Sequence, residues 1–152
     1  MRTVRNADGD QYLLIKESDE SSLVRDPESG AERYVANEDL DVVDDESPLS
    51  TAAAGIDPAV RRLVTATYDD QSLGLLVELV DCGPISTIDL LDSYDLCESD
   101  LHGLLAEFRA AGLVEEAESA GQRGYAATDL AREAVAELRD GEASEPASTP
   151  TE

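Results

Sequence analysis

The chain has no tryptophan, one phenylalanine (Phe108), one histidine (His102), one lysine (Lys16) and two cysteines (Cys82, Cys97) in 152 residues. Each scarcity removes a class of answers. With 4% aromatics, the core has to be built from Leu, Val, Ile and Ala. With one histidine, no His-based metal cluster can form. Zinc takes four ligands, and Cys82, Cys97 and His102 offer three with no C-x-x-C pair, so no metal is expected. No P-loop, G-x-G-x-x-G or G-x-S-x-G occurs, and a Ser or Cys nucleophile would have only His102 as its base. We therefore expect no enzyme and no cofactor. No apolar run approaches the ~18 residues of a membrane span, and no leader is visible, so no membrane partner is expected. The expected location is the cytoplasm, with both thiols reduced.

Negative charge is abundant. Thirty-five carboxylates against 11 basic residues give a formal charge of -24. The excess runs along the whole chain, with 5 basic and 14 acidic residues in 1–50 and 6 and 21 in 51–152. An even acid coat on a foldable chain is the pattern of a protein working in molar salt. Self-repulsion opposes compaction in dilute buffer. At about 1 M salt the Debye length falls to roughly 3 Å and the repulsion is screened. Carboxylate clusters are therefore poor markers of sites in this chain.

Residues 1–43 read as a small antiparallel β meander. Thr3–Arg5, Gln11–Lys16, Ser22–Arg25 and Glu32–Val35 are strand-like, with a fifth short run at Asp41–Val43. Asn6-Ala7-Asp8-Gly9 and Asp26-Pro27-Glu28-Ser29-Gly30 are turns. Asn6, Asp8, Asp10, Tyr12 and Glu17 match the 1, 3, 5, 7, 12 spacing of a calcium loop, but its required glycine is Gln11 here, so the stretch reads as a solvated hairpin turn. Residues 44–56 read as a linker.

Residues 57–140 read as helical with one hairpin. Asp57-Pro58 starts a helix with Val60, Leu63, Val64 and Thr67 on one face, and Asp69-Asp70 closes it against its dipole. Ser72 to about Asp81 is an apolar helix stopped by Gly83-Pro84. Ser86 or Thr87 caps the next helix, which carries Ile88, Leu90 and Leu91. After a turn at Asp95-Leu96, Leu101, Leu104, Leu105 and Phe108 form one apolar stripe, and Gly112 stops that helix. Val114–Ala117 and Tyr125–Ala127 are strands around a turn at 119–124. Thr128 caps a last helix with Leu130, Ala134, Val135 and Leu138 on one face, ending at Gly141. Residues 141–152 read as a disordered polar tail.

The order in GPISTIDLLDSYDLCESDLHGLLAEFRAAGLV and its E-F-R-A-A-G-L-V-E-E end resembles the winged helix-turn-helix superfamily, over Ser72 to Asp140. The whole chain also resembles small acidic winged-helix proteins of haloarchaea. The resemblance implies an α+β fold, with the N-terminal meander followed by a winged helix. It also implies a DNA-binding transcriptional regulator. The outward positions of the second helix would then be Glu98, Ser99, His102, Gly103, Ala106 and Arg109, entering the major groove. The 119–124 turn would be the wing, carrying Gln122 and Arg123. The expected DNA-contacting set is Ser99, His102, Gly103, Arg109, Gln122 and Arg123, with Arg61-Arg62 near the backbone. Gly103 costs roughly 1 kcal/mol in a helix interior relative to Ala, which points either to close approach of a partner or to relief of crowding inside the domain. Cys97 stands at a helix start, where a thiol can serve redox sensing. In the superfamily the last helix often pairs two protomers, so a homodimer is one expectation. The alternative function is a protein interaction module that docks a partner on the His102-Gly103-Ala106 surface without touching DNA.

Overall fold

The computed structural model describes residues 1–143 and is a mixed α+β chain with an N-terminal antiparallel sheet and mainly helical C-terminal half. It divides into two compact units, Met1–Pro58 and a second from Ala59 onward. No helix among the described residues is long and apolar enough to cross a membrane.

The first unit holds β1 (Arg2–Arg5), β2 (Gln11–Glu17), β3 (Ser21–Arg25), β4 (Glu32–Ala36) and β5 (Asp41–Val43). Asn6 builds the first turn, its Oδ1 accepting from the backbone N–H of Asp8 (3.0 Å) and of Asp10 (2.9 Å). That carboxamide is used in the turn, as the hairpin reading of the calcium-like spacing requires. The sheet order is β4-β3-β2-β1-β5, so the fifth strand does not continue the meander. It crosses to the opposite edge and pairs Thr3 with Val43. A short 3-10 helix at Asn37–Asp39 carries the chain round. Asn37 pins that corner by donating its Nδ2 to the carbonyls of Ser18 and Asp19 and accepting from Ser22 Oγ at 2.6 Å. Val4, Tyr12 and Val24 are buried on one face, with Leu14, Val35 and Leu40 around them.

The 44–56 stretch is more than a linker: it carries α1 (Pro48–Ala53). Ser47 Oγ accepts from the N–H of Leu49, and Pro48 fills the first helical position where its missing N–H costs nothing. Thr51 of α1 is buried and its Oγ1 lies 2.6 Å from that of Thr3 on β1. The helix therefore belongs to the sheet it packs on.

The second unit holds α2 (Pro58–Ala66), α3 (Asp70–Cys82), β6 (Ile85–Ser86), α4 (Thr87–Ser93), α5 (Glu98–Ala110), β7 (Val114–Ser119), β8 (Gln122–Ala127) and α6 (Asp129–Ala143). Asp69-Asp70 does not close α2. Asp69 caps α3 instead, its side chain accepting from the N–H of Ser72 at 2.9 Å while Ser72 Oγ accepts from the N–H of Asp69. Acidic residues at that end favour the dipole rather than oppose it. Val64 and Ile88 are exposed, because α2 and α4 are short and bury one side only, through Ala59, Val60 and Leu63 and through Leu90.

Leu101, Leu104, Leu105 and Phe108 of α5 are all buried, and with Leu63, Leu76, Leu79 and Leu113 they form the centre of the core. The last helix passes Gly141 and runs to Ala143, so glycine does not end it. Thr128 Oγ1 donates to the carbonyl of Gly112 at 2.7 Å and accepts from the N–H of Ala131. Ala131, Ala134 and Val135 are buried while Leu138 is exposed, and Arg139 makes a two-pronged contact with Asp81 on α3, both arms 3.0 Å. That pairing holds the Asp81 carboxyl below its ordinary range. The expected tail, from residue 144 on, lies outside the described residues.

Candidate functional site

The outward face of α5 and the hairpin beside it form the candidate site. Tyr94–Cys97 joins α4 to α5, and Tyr94 fixes that joint by donating its hydroxyl to Glu78 Oε1 of α3 at 2.5 Å. Ser86 Oγ caps α4 through the N–H of Asp89 at 3.1 Å. Cys97 stands at the start of α5, exposed, with no side-chain capping bond and its Sγ 3.4 Å from Ser99 Oγ. Among the described residues, no group of three or more His, Cys, Asp or Glu is arranged to hold a metal ion.

The hairpin is longer than its sequence suggests. The strands meet at a two-residue turn, Ala120 (φ 53) and Gly121 (φ 80), the positive pair that suits a twisted hairpin. Gln122 and Arg123 therefore lie in β8, not in the loop, paired with Ser119 and Glu118. The three-stranded sheet has the order β6-β8-β7, with Ile85 opposite Tyr125 and Ser86 opposite Gly124. A Cβ on Gly124 would come 2.1 Å from the carbonyl oxygen of Ile85. Glycine is what lets β6 close on the hairpin. Two-residue β6 carries too little pattern to be read from sequence.

All six candidate residues are exposed, but they do not form one cluster. His102 and Arg123 line one groove, between α5 and the hairpin, together with Thr87, Glu116, Glu118 and Tyr125. Arg109 is tied to that groove's wall, its Nη1 3.1 Å from Glu116 Oε2 on β7. His102 Nε2 lies 3.7 Å from Glu98 Oε2 one turn earlier. Ser99 and Gly103 line the opposite flank of α5, beside Tyr68, Gln71, Asp100 and Glu107. Gln122 lines neither groove. A Cβ added at Gly103 meets nothing within 4 Å, so crowding inside the domain does not explain that glycine. Arg62 Nη1 donates to the carbonyl of Ala111 at 3.0 Å and so caps the end of α5.

Sequence reasoning missed Glu116 and Glu118. Their signal is the two-residue period of β7, which puts them on one face and Glu115 on the other. It also missed Tyr68 and Gln71, which come to α5 through packing of the α2–α3 turn and carry no local mark.

No curated protein and no solved structure matches the chain. A family model does match, over residues 1–139, and the chain belongs to that family, a family of unknown function (DUF7346).

Proposed function

We propose that the second unit is a winged helix-turn-helix domain that reads double-stranded DNA, and that the protein is a cytoplasmic transcriptional regulator of a halophilic archaeon. The observation that carries this reading is the succession α3–β6–α4–α5–β7–β8, with α5 amphipathic and its outer face beside a hairpin in a three-stranded sheet. In this reading α5 lies in the major groove. Ser99, His102 and Arg109 offer hydrogen bonds to base edges. Gly103 is where the α5 backbone comes closest to the duplex, and Arg123 with Gln122 reaches the sugar-phosphate backbone.

Magnitudes favour a reader that depends little on charge. One backbone-contacting arginine, Arg123, would give a salt slope of about -0.9, so a tenfold rise in salt weakens binding by roughly eightfold. A protein making eight such contacts would lose roughly seven orders of magnitude over the same range. Direct bonds to base edges, being short-range, survive at molar salt. Arg109 and Glu116 have side chains 51% and 68% exposed. A pair that open to water contributes about 0–1 kcal/mol, a light restraint on Arg109. A homodimer through α6 belongs to the same proposal, with exposed Leu138 at its contact.

One observation favours a second reading, a protein interaction module. Glu116 and Glu118 line the groove of Arg123, Glu116 pairs with Arg109, and Asp100 and Glu107 line the other flank of α5, so the face that would meet phosphate is acidic on balance.

The two readings separate by mutation and nuclear magnetic resonance. Titrating a duplex into labelled protein in molar KCl is expected to shift the amides of Ser99, His102, Gly103 and Arg123, and Arg109→Ala or His102→Ala should abolish sequence preference. If no duplex moves any amide at any salt, while Gly103→Leu abolishes capture of a protein partner, the regulator reading fails and the module reading replaces it.

A further inference from the structure

We infer that Glu116 is a specificity-determining positioning residue, which holds the Arg109 guanidinium at the angle from which it reads a base. The inference rests on the DNA reading and concerns the same site.

Arg109 leaves the last turn of α5, and its long side chain would sweep a wide arc if nothing held it. It is held at one point, Nη1 against Glu116 Oε2 at 3.1 Å. A guanidinium carries five N–H donors in a fixed plane. One ion-pair contact at Nη1 narrows the arc of the side chain and leaves most of the donors for a second acceptor. A purine edge that accepts two bonds, such as guanine O6 and N7, takes two donors at once and needs them coplanar. The carboxylate can therefore stay in place while Arg109 binds a base, so the ion pair is kept in the complex rather than exchanged.

The same carboxylate opposes the wrong contact. Glu116 and Glu118 share one face of β7 and line the groove that holds His102 and Arg123. A phosphate drawn towards Arg109 would meet the like charge of Glu116 a few ångströms away, a repulsion that the ~3 Å screening length of molar salt weakens without removing. A base edge carries no such charge. Glu116 thus favours base contact and penalises backbone contact at the same arginine. Glu118 adds charge to that groove without touching Arg109, which makes it the natural control.

The test compares two duplexes of equal length in molar KCl by fluorescence anisotropy, one selected by the wild-type protein and one scrambled. Glu116→Gln is expected to lower affinity for the selected duplex about fivefold and to leave the scrambled duplex unchanged or tighter. Glu118→Gln should move both duplexes by the same factor. In an Arg109→Ala background, Glu116→Gln should cost nothing more on the selected duplex, since coupled residues do not add. Both glutamates are exposed, so the variants should keep the wild-type melting temperature. As a readout free of DNA, 15N relaxation of Arg109 Nε should show a restrained side chain in the wild type and a freer one in Glu116→Gln.

A rise in affinity for the selected duplex on Glu116→Gln would overturn the inference and make Glu116 a competitor of DNA. An equal loss with and without Arg109, or a Glu118→Gln effect matching that of Glu116→Gln, would overturn it too. If the wild type binds no duplex, the DNA reading has failed and this inference with it. If the wild type discriminates normally and Glu116→Gln does as well, only this inference has failed.

Discussion

Tyr94 and two glycines set the terms at the scale of single residues. The 2.5 Å bond from Tyr94 to Glu78 joins the α4–α5 turn to α3, and so holds the outer face of α5 in place. The bond to the Glu78 carboxylate, with burial and the neighbouring charges of Glu78 and Cys82 adding to it, pushes the phenol up from 10.0 to about 12. A raised folded value means that the neutral phenol is favoured by the fold. Its contribution is complete below pH 10 and is lost as pH rises from 10 towards about 12. Tyr94→Phe should cost about 1 kcal/mol at neutral pH, and urea midpoints of the two proteins should converge through that alkaline window. Gly103 and Gly124 should respond oppositely to alanine. Gly103→Ala meets open space and should stabilise the fold by about 0.5–1 kcal/mol, as helix propensity dictates. Gly124→Ala drives a methyl into the Ile85 carbonyl and should cost about 3 kcal/mol, read as a lower melting temperature and loss of the β6–β8 bonds in amide exchange.

Secondary-structure elements were legible where one repeating pattern decided them. The α5 stripe of Leu101, Leu104, Leu105 and Phe108 has helical spacing, and all four side chains are buried. The strands of the first unit alternate or carry β-branched runs, and each begins within a residue or two of its expected start. What remained hidden depends on contacts distant in sequence. The side chosen by β5 is decided by Asn37 bonding to Ser18, Asp19 and Ser22. The two residues of β6 exist because Gly124 admits them. α1 was legible after all, since Ser47-Pro48 carries the same start signal that marked Asp57-Pro58, but its surroundings looked like a linker. Asp69 looked like an unfavourable end to one helix because the same residue is a favourable start to the next. For the candidate site, the periodicity of α5 yielded its outward face, whereas the partners of that face needed the fold. Glu116 reaches Arg109 because the chain reverses at Gly112 (φ 77) and runs β7 back alongside α5.

For the whole molecule, charge is the governing quantity. A net charge of -24 on 152 residues makes compaction costly in dilute buffer. The urea midpoint is expected to rise steadily with KCl up to molar concentrations, where the screening length falls to roughly 3 Å. A midpoint independent of KCl would remove the argument for a molar-salt protein. The same charge bears on the proposed DNA reading. In that reading, with few cations and Arg25, Arg109, Arg132 and Arg139 each paired with a carboxylate, affinity would come from base contacts and fit rather than from released counterions. The most direct test is an anisotropy titration of fluorescent genomic duplexes with the purified full chain at about 2 M KCl, a level chosen to screen self-repulsion. The expected result is saturable binding to a subset of fragments, lost on Arg109→Ala. Flat traces from a protein shown to be folded in the same buffer would contradict the DNA reading.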